Sequence, residues 1–333
     1  MRIVLDAMGS DNRPEAEVLA ALEAHKRWGE PVILVGPQAE LEARISDNGG
    51  DQNSVEIVHA PEVLQMTDKP AKAARGKAET SMAVGMDLLK EGKADAFVTA
   101  GNTGGAMATA LFRLGRIRGI KRPALAGSFP VQGGTCVMLD IGANTDCRPE
   151  YLLQFALMGS TYVSHAFGKE TPRIGLLSNG EEAGKGNMLV KEAYPLLESS
   201  GINFIGNIEP KEIFAGEVDV VVADGFDGNV FIKTSEAVSK FLIEVIREQI
   251  RSSAITSIGG MLAKPAFAHV RKLLDPDEYG AAPLLGVNGI ILIGHGRSNS
   301  KALVTAIRVA RQSVEGNVLE STQAAISERI AAK

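Results

Sequence analysis

Six loops of this 333-residue chain combine glycine with asparagine, aspartate, lysine or histidine, and each follows a short apolar run. Glycine lets the backbone approach a ligand closely, and the exposed N–H groups at the start of a helix bind anions such as phosphate. The loops therefore favour anion binding, and six of them are a stronger indication than one. They are Asp6–Asp11, Thr99–Gly105, Asp140–Asp146, Asn179–Asn187, Asp224–Asn229 and Gly294–Asn299.

The loop Gly101–Gly104 is the best candidate for a phosphate site, because it leads into a predicted helix that starts near Gly105. The helix dipole and the exposed N–H groups can hold an anion there, and Asn102 and Thr103 add side-chain hydrogen bonds. The loop has neither the Gly-Lys-Ser/Thr ending of a nucleotide-binding P-loop nor the GxGxxG spacing of a dinucleotide fold. It predicts phosphate binding without a nucleotide-binding motif.

Three side chains in or beside these loops could supply a positive charge or a proton. Lys185 lies between two glycines at a predicted helix start, where it is either a phosphate or carbonyl ligand or a solvated loop lysine. Lys233 follows the loop Asp224–Asn229, and the same alternatives stay open for it. His295 is the one histidine within a glycine-rich loop, and a catalytic and a structural role are both open for it.

Aspartates at the ends of the apolar runs allow two interpretations. Carboxylate oxygens suit Mg²⁺, but aspartate after a strand more often caps a turn or a helix. We favour capping and therefore predict no metal site and no cofactor. The chain has no Gly-x-Ser-x-Gly elbow and no Cys/His nucleophile pattern, so in an acyl transfer a bound nucleophile must attack. The aspartates are Asp6, Asp11, Asp140, Asp146 and Asp224.

The elements that must position these loops are short β-rich runs alternating with helical patterns. This alternation predicts an α/β fold of three layers, with a mainly parallel sheet and helices on both faces. Because ligands bind beyond the carboxyl ends of strands in such sheets, we expect all six loops at one edge. The predicted strands are Ile3–Leu5, Val32–Val35, Val55–His59, Ala96–Thr99, Thr135–Leu139, Arg173–Leu177, Val218–Ala223 and Ile290–Ile293.

The segment 234–274 differs from the rest, because it reads as two amphipathic helices joined by an apolar tip. We predict a protruding helical hairpin on an otherwise single large α/β unit over residues 1–333. One interpretation of the hairpin is packing against the domain or a second copy. The other is a tip that contacts a lipid surface. The tip residues are Ile255, Ile258, Met261 and Leu262.

Charge and cysteine content exclude several classes of protein. The chain has 35 Lys and Arg against 40 Asp and Glu, and this net charge of −5 argues against broad nucleic-acid binding. Two cysteines, Cys136 and Cys147, are too few for a disulfide framework or a four-thiolate zinc site. We see no signal peptide and no membrane span, so we expect a cytoplasmic protein.

Taken in order, the loop motifs resemble those of the bacterial phosphate acyltransferases of phospholipid synthesis, which use acyl-acyl-carrier protein (acyl-ACP) as donor. The resemblance runs from Met1 to about Ile307. The motifs are Asp6-Ala7-Met8-Gly9-Ser10-Asp11, Ala100-Gly101-Asn102-Thr103-Gly104, Leu139-Asp140-Ile141-Gly142-Ala143-Asn144, Gly180-Glu181-Glu182-Ala183-Gly184-Lys185-Gly186-Asn187, Asp224-Gly225-Phe226-Asp227-Gly228-Asn229-Val230 and Tyr279-Gly280-Ala281-Ala282-Pro283-Leu284-Leu285-Gly286.

The resemblance implies an enzyme that converts acyl-ACP and inorganic phosphate into acyl phosphate and free ACP. The acyl phosphate would then serve a membrane glycerol-3-phosphate acyltransferase. The implied fold is similar to those of phosphate acetyltransferases and isocitrate/isopropylmalate dehydrogenases. The implied protein is a homodimer in the cytoplasm that associates peripherally with the membrane surface, which favours the lipid-facing interpretation of the tip.

The residues and the resemblance together give a candidate site. We predict Lys185, His295, Asn179 and Asn229 as catalytic residues, with His295 as a proton donor to the leaving thiolate. The predicted phosphate and substrate contacts are Asp6, Gly9, Asp11, Gly101, Asn102, Thr103, Gly104, Asp140, Asn144, Glu181, Asn187, Asp224, Lys233 and Ser298.

The chain departs from the family pattern at several loop positions. Ser10 stands where a second glycine is common, and Arg13 where the residue is usually small. Ser178-Asn179 replaces Asn-Ile, Ala281 replaces glycine, and Arg297 replaces a serine and could add a phosphate contact. These departures affect the expected loop shape and anion contacts.

Three other functions remain open on the sequence. The first is a phosphate acyltransferase that uses acyl-coenzyme A, and the second is an NAD-dependent decarboxylating dehydrogenase on a related fold. The third is a non-catalytic protein that binds lipid or a carrier protein, for which six polar loops would be more than the role requires.

Overall fold

The computed structural model of the chain describes residues 1–51, 54–70, 74, 76 and 78–331. Over these residues eleven strands form one sheet, in the order β3-β2-β1-β4-β11-β10-β5-β6-β9-β7-β8. The strands are β1 (Ile3–Asp6), β2 (Val32–Gly36), β3 (Val55–His59), β4 (Ala96–Thr99), β5 (Ala124–Val131), β6 (Gly134–Leu139), β7 (Ile174–Leu177), β8 (Phe204–Ile208), β9 (Val220–Val222), β10 (Ala281–Leu285) and β11 (Ile290–Gly294).

Helices connect most of these strands, and the predicted α/β class with a mainly parallel sheet is confirmed. The helices are α1 (Glu15–Trp28), α2 (Gln38–Asp47), α3 (Ser81–Lys90), α4 (Thr103–Arg113), α5 (Pro149–Phe167), α6 (Met188–Glu198), α7 (Pro210–Phe214), α8 (Gly225–Arg251), α9 (Ala254–Leu262), α10 (Lys264–Leu273), α11 (Ser300–Glu315) and α12 (Val318–Ala331). A short 3₁₀ helix, Pro276–Glu278, precedes β10.

Both faces of the sheet are buried, as expected for strands that are apolar throughout. On β1, Leu5 contributes to a core formed with α1, α2 and α11, whereas its neighbour Val4 contributes to a core with α3 and α4. On β6, Leu139 packs with α5 and α6, and Met138 packs on the opposite side with α7. This alternation produces the predicted three layers.

The middle of the sheet is antiparallel, and this changes where the loops lie. Strand β10 runs antiparallel to β11 and to β5, and β5 runs antiparallel to β6. Strands β9, β7 and β8 continue parallel to β6, so they run opposite to β1, β4 and β11. The expectation that all six loops leave one edge was therefore wrong.

The six loops form two sets, each at the carboxyl ends of strands that run the same way. We call Asp6–Asp11, Thr99–Gly105 and Gly294–Asn299 the first loop set, after β1, β4 and β11. We call Asp140–Asp146, Asn179–Asn187 and Asp224–Asn229 the second loop set, after β6, β7 and β9. Because β4 lies between β1 and β11, and β9 between β6 and β7, each set is compact.

The segment 234–274 contains more helix than the sequence pattern predicts. Helix α8 begins at Gly225, within the second loop set, and continues for 27 residues. The apolar tip is itself a helix, α9, whose start is capped by Ser253 Oγ accepting from Thr256 N at 3.2 Å. Helix α10 follows after Ala263. Over the described ranges, no helix combines the length and apolar character that crossing a membrane requires.

Candidate functional site

The first loop set is held together by a buried carboxylate at the end of β1. Asp6 is 1% exposed, and its Oδ2 accepts from Thr99 Oγ1 at 2.7 Å. Thr99 Oγ1 accepts in turn from Gly101 N at 3.0 Å, and Asp6 Oδ1 accepts from Met8 N at 3.1 Å. Burial raises the pKa of Asp6, and these hydrogen bonds oppose the rise. Asp6 thus fixes one loop to the next without facing a ligand.

Close approach of two backbones explains the glycine at position 9. A Cβ on Gly9 would lie 2.9 Å from Ala100 N and from Gly101 N, so a side chain would force the two loops apart. The third loop joins through Asp11, whose N–H donates to Gly296 O at 2.7 Å. The three loops of the first set therefore meet backbone to backbone.

The start of α4 leaves backbone donors available. Asn102 caps the helix, with its Oδ1 accepting from Gly105 N at 2.8 Å, and its Nδ2 donates to Met66 O at 2.8 Å. Thr103 N and Gly104 N have no hydrogen-bond partner among the described residues. These two N–H groups, at the positive end of the helix dipole, are suited to an anion.

An open cavity of about 490 Å³ lies over these donors. Met66 supplies the one apolar side chain among its lining residues and is 40% exposed. The rest of the lining is backbone and polar side chains. The lining residues are Asp11, Met66, Gly101, Asn102, Thr103, Gly104, His295 and Gly296.

His295 is placed in this cavity by the third loop, where Ser298 N donates to His295 O at 2.8 Å and Ser298 is buried. Burial lowers the pKa of His295, and the charges of Arg297 and Lys233 lower it further, against the opposing effect of Glu236 and Asp11. The ring is therefore neutral at pH 7. Its Nδ1 accepts from Arg297 N at 3.4 Å. A neutral imidazole can accept a proton and then, as the imidazolium, donate it as a general acid.

In the second loop set the central carboxylate is already saturated. Asp140 is fully buried, and its oxygens accept from five groups within 3.2 Å. Burial raises its pKa against these hydrogen bonds. Asp140 therefore orders its own loop, as the capping interpretation predicts. The donors are the backbone N–H groups of Leu125, Gly142, Ala143 and Asn144, and Asn144 Nδ2.

The other asparagines and the aspartate of the second set also make local contacts. Asp224 caps α8 by accepting from Asp227 N at 2.8 Å, and Asn187 caps α6 by accepting from Val190 N at 2.9 Å. Asn179 Oδ1 accepts from Gly186 N, and Asn229 Nδ2 donates to Ile141 O. Much of the hydrogen-bonding capacity of these side chains therefore serves the loops.

Lys185 and Glu181 are both exposed. The Lys185 side chain lies over Gly180 of its own loop, and Glu181 accepts from Lys211 Nζ at 2.9 Å. Glu181, Glu209 and Glu212 are close enough to share a cation, and the Lys211 ammonium contacts all three. Within the part of the chain that the structure describes, none of the second-set residues lines the cavity of about 490 Å³.

Helix α8 connects the two sets. It begins in the second set at Gly225. Lys233 and Glu236, about two and three turns along the helix, affect the pKa of His295 in the first set. Lys233 Nζ pairs with Glu236 at 2.9 Å. Thus Lys233 is close enough to His295 to affect its pKa, although its own loop belongs to the other set.

Sequence reasoning missed Met66 and Glu17 as parts of the first set, and it assigned no role to Thr99 within its predicted loop. Thr99 ends β4, and a hydroxyl at a strand end carries little signal on its own. Glu17 lies on α1 among the buried Ala16, Val18 and Ala20, so its place in an apolar pattern was the available signal. Met66 lies in an irregular segment with no periodicity to interpret.

Comparison with known proteins agrees with the motifs. The model of the family described as "Fatty acid synthesis protein" matches residues 1–321. A phosphate acyltransferase of Pelotomaculum thermopropionicum is 49% identical over 328 residues, which cover 98% of this chain and 95% of the relative. The chain belongs to this family. The resemblance predicted from the loop motifs is thereby confirmed.

Solved structures of related fold come from two classes of enzyme. A phosphotransacetylase from Streptococcus pyogenes superposes with a TM-score of 0.64 at 17% identity, over 94% of each chain. A 4-hydroxythreonine-4-phosphate dehydrogenase from Klebsiella pneumoniae gives a TM-score of 0.56 at 14% identity, over 94% of this chain and 99% of the other. At these identities the likeness establishes the fold, and it agrees with the fold expected for the family.

Proposed function

We propose that this protein transfers a fatty acyl group from acyl-ACP to inorganic phosphate, giving acyl phosphate and free ACP for phospholipid synthesis. Membership of a family whose curated relatives are named phosphate acyltransferases supports the reaction type. The observation that carries the site assignment is the cavity of the first loop set. Thr103 and Gly104, whose N–H groups have no partner among the described residues, line it together with a neutral His295.

Phosphate is the nucleophile in this mechanism. It is anionic at pH 7 and needs orientation rather than deprotonation, which the amides at the start of α4 provide. Holding it against a bound thioester turns a bimolecular collision into a positioned reaction. A phosphate oxygen then forms a bond to the thioester carbon, and the carbonyl electrons move onto oxygen.

His295 serves the second half of the reaction. When the tetrahedral intermediate collapses, the carbon–sulfur bond breaks and its electron pair leaves on sulfur. Neutral His295 accepts the proton that the phosphate group loses as it becomes acylated, and the imidazolium so formed transfers this proton to the thiolate, which restores the neutral ring. Lys233 is the nearby cation that we assign to the phosphate charge. From the second set we retain Asn179 and Asn229 as candidate hydrogen-bond donors and Lys185 as a candidate contact to the acyl donor.

Met66 is the group that we assign to the acyl side of the thioester. Its backbone is fixed by Asn102, and its neighbour Gln65 is fixed by Arg13 Nη2, which donates to Gln65 Oε1 at 3.0 Å. A flexible thioether on a fixed backbone can pack against apolar chains of differing shape. The cavity then has a polar side for phosphate and an apolar side for the acyl chain.

The decisive experiment measures free ACP thiol and acyl phosphate from purified protein and acyl-ACP, with and without inorganic phosphate. We expect thiol release that depends on phosphate and equals the acyl phosphate formed. Thiol release independent of phosphate, or none, would overturn the proposal. An acyl-coenzyme A arm tests the alternative donor, and an NAD arm with a 2-hydroxy acid tests the dehydrogenase alternative.

We also propose that α9 contacts the membrane surface, so that acyl phosphate is released close to the membrane glycerol-3-phosphate acyltransferase that consumes it. Ile255 and Leu262 are 83% and 80% exposed, and the nearby Lys264, Arg271 and Lys272 suit anionic lipid. Replacing Ile258 and Leu262 with lysine should weaken binding to anionic liposomes and leave activity on acyl-ACP intact. Ile205→Lys, an exposed apolar position on β8, is the control. Equal liposome binding by all three proteins would remove the membrane role.

The exposed apolar side chains of α8 support a homodimer. Phe241 is 62% and Leu242 51% exposed, and Val238 and Val245 continue the same face. We propose that a second copy covers this face. Phe241→Asp should convert a dimer into a monomer in sedimentation equilibrium, whereas Glu248→Gln on the same helix should not. A monomeric wild-type protein would contradict the dimer.

A further inference from the structure

Glu17 is an acidic residue with no contact to solvent, on α1 directly beneath the loop Asp6–Asp11. It is 0% exposed, and its Oε1 accepts from Ser10 N at 2.9 Å. Its Oε2 has no hydrogen-bond partner among the described residues, and the same is true of Ser10 Oγ, although Ser10 is 1% exposed. Two buried polar atoms without partners therefore lie in one small region.

An ionised carboxylate in this position would be unfavourable, because it is removed from water and no cation among the described residues contacts it. Burial raises the pKa of Glu17 to about 7, hydrogen bonding from Ser10 opposes the rise, and the charge of Asp6 adds to it. The neutral acid is therefore well populated at neutral pH. Unlike the carboxylate, it has an O–H to donate.

A single proton satisfies both atoms. With the proton on Oε2, Glu17 donates to Ser10 Oγ while Oε1 continues to accept from Ser10 N. The hydroxyl of Ser10 already lies close enough to lower the pKa of the Glu17 carboxyl, although the two groups make no hydrogen bond of normal geometry in this structure.

Ser10 connects this pair to the cavity. It lies between Gly9, which packs against the Gly101 amide, and Asp11, which lines the cavity and donates from its N–H to Gly296 O. We infer that neutral Glu17 is a positioning residue, which holds the loop Asp6–Asp11 through Ser10 in the arrangement that binds phosphate. The inference rests on the proposed function.

Several charged groups on the elements packed against α1 pair with other residues. On β1, the charge of Asp6 raises the pKa of Glu17. On α2 and β3, Arg44 pairs with Glu15, Glu56 pairs with Arg2, and His59 Nδ1 accepts from Gln38 N. On α11, Lys301 pairs with Asp275 and Glu278. Arg308 donates to Gln312 and to Glu278 O. Arg311 pairs with Glu30 and Glu315.

The test compares Glu17→Gln with Glu15→Gln. Glutamine reproduces the neutral acid, with an oxygen for Ser10 N and an N–H for Ser10 Oγ, and it cannot ionise. Glu15 lies on the same helix but is partly exposed, and it contacts Asn48 and Arg44. Phosphate affinity by calorimetry and KM for phosphate are measured from pH 6.0 to 8.5, always as ratios to wild type, so that the ionisation of phosphate itself cancels.

We expect the Glu17→Gln ratio for phosphate affinity to be about 1 at pH 6.0 and to rise at least threefold by pH 8.5, since only wild type ionises there. Glu15→Gln should give a constant ratio. Glu17→Ala should raise KM for phosphate about tenfold with kcat within twofold, and Glu17→Gln should restore it. A constant Glu17→Gln ratio across the pH range would overturn the inference, even if the alanine variant does not fold.

The calorimetric readout separates this inference from the proposed function. If wild type binds phosphate but transfers no acyl group, the proposed function fails while the Glu17 ratio remains measurable. If transfer occurs and the ratio is constant with pH, the positioning role fails alone.

Discussion

The two loop sets use the same residue types in opposite ways. In the first set, Asp6 is buried behind the loops, and the amides of Thr103 and Gly104 have no partner in the part of the chain that the structure describes. In the second set, the oxygens of Asp140 accept from five donors within 3.2 Å, including the backbone N–H groups of its own loop. A loop that satisfies its own amides is ordered but has fewer donors left for an anion.

Glycine shows the same contrast. A Cβ on Gly9 would lie 2.9 Å from two backbone nitrogens, and one on Gly228 would lie 1.9 Å from Asp140 O. Both glycines permit close backbone contact. At Gly9 the contact joins two loops around a cavity, and at Gly228 it packs α8 onto the loop after β6. Composition alone cannot distinguish a ligand site from tight packing.

The largest effect should follow from His295→Asn, which removes the proposed proton donor of the first set. We expect kcat to fall by a factor of roughly 100 or more, the usual range for loss of a general acid. Stopped assays of acyl phosphate formation measure it. His269→Asn, on α10, is the control, and similar rates for both variants would remove His295 from the mechanism.

Gly228→Ala should test the packing role of the second set. The added methyl would overlap Asp140 O, so we expect a loss of about 3 kcal/mol in the free energy of unfolding. Urea denaturation measures the loss. Gly259→Ala, in α9 where a Cβ meets nothing within 4 Å, should be neutral or stabilise by up to about 1 kcal/mol. Equal stability of the two variants would contradict the packing role.

Asp6→Asn and Asp140→Asn form a matched pair across the two sets. An amide has one acceptor oxygen in place of two, so buried donors lose a partner in each variant, at about 2 kcal/mol. For Asp6→Asn we expect roughly a 30-fold fall in kcat/KM, since the Thr99–Gly101 contact shapes the cavity. For Asp140→Asn the loss should be in unfolding free energy. The reverse pattern would exchange the roles of the two sets.

The pH dependence of stability should reflect His295. Its pKa is lowered from the ordinary value near 6.5, so the folded state binds a proton less readily than the unfolded chain does. Its contribution to stability is therefore complete above about pH 6.5 and is lost as pH falls below that value. Comparing unfolding free energies of wild type and His295→Asn from pH 5 to 8 measures this. A difference that grows with rising pH above 7 would contradict the sign.

The smallest effect should come from Lys185→Ala. The side chain is exposed and outside the cavity, so we expect KM for the acyl donor to rise about threefold through lost surface attraction, with kcat unchanged. Lys191→Ala, on α6, is the control. A tenfold fall in kcat would show that Lys185 takes part in the reaction, and the two loop sets would then differ less in function. Unchanged kinetics would show that Lys185 is not part of the site.

Much of this fold could be predicted from the sequence, because the parallel strands are short apolar runs ended by glycine or polar turns. Strands β5, β8 and β10 were missed, since Gly127 and Pro130, Gly206, and Pro283 interrupt their patterns. These omissions mattered, because β5 and β10 are the antiparallel strands that reverse the second half of the sheet. Pairing direction depends on contacts distant in sequence, which no local pattern reports.

The candidate site was predictable to a similar depth. Gly101–Gly104, Asp11 and His295 are brought together around one cavity, as expected from loops that follow neighbouring strands. Glu17 and Met66 could not be assigned from the sequence, because burial of a helical glutamate and the course of an irregular segment depend on tertiary packing. Lys185 follows β7 and is not among the residues that line this cavity, so its predicted contact with phosphate stays a prediction.

Because α8 is one continuous helix, its length fixes how the residues at its far end are oriented relative to those at its start. The helix extends about 40 Å over its 27 residues, and each residue turns it by about 100°. One residue inserted between Lys233 and Lys240 would therefore rotate everything beyond it by about 100° relative to His295, and move it about 1.5 Å further away. Four inserted residues would bring these residues back to within about 40° of their original orientation about the helix axis. The orientation of the far end of α8 relative to His295 thus depends on the number of residues in the helix as well as on their identity.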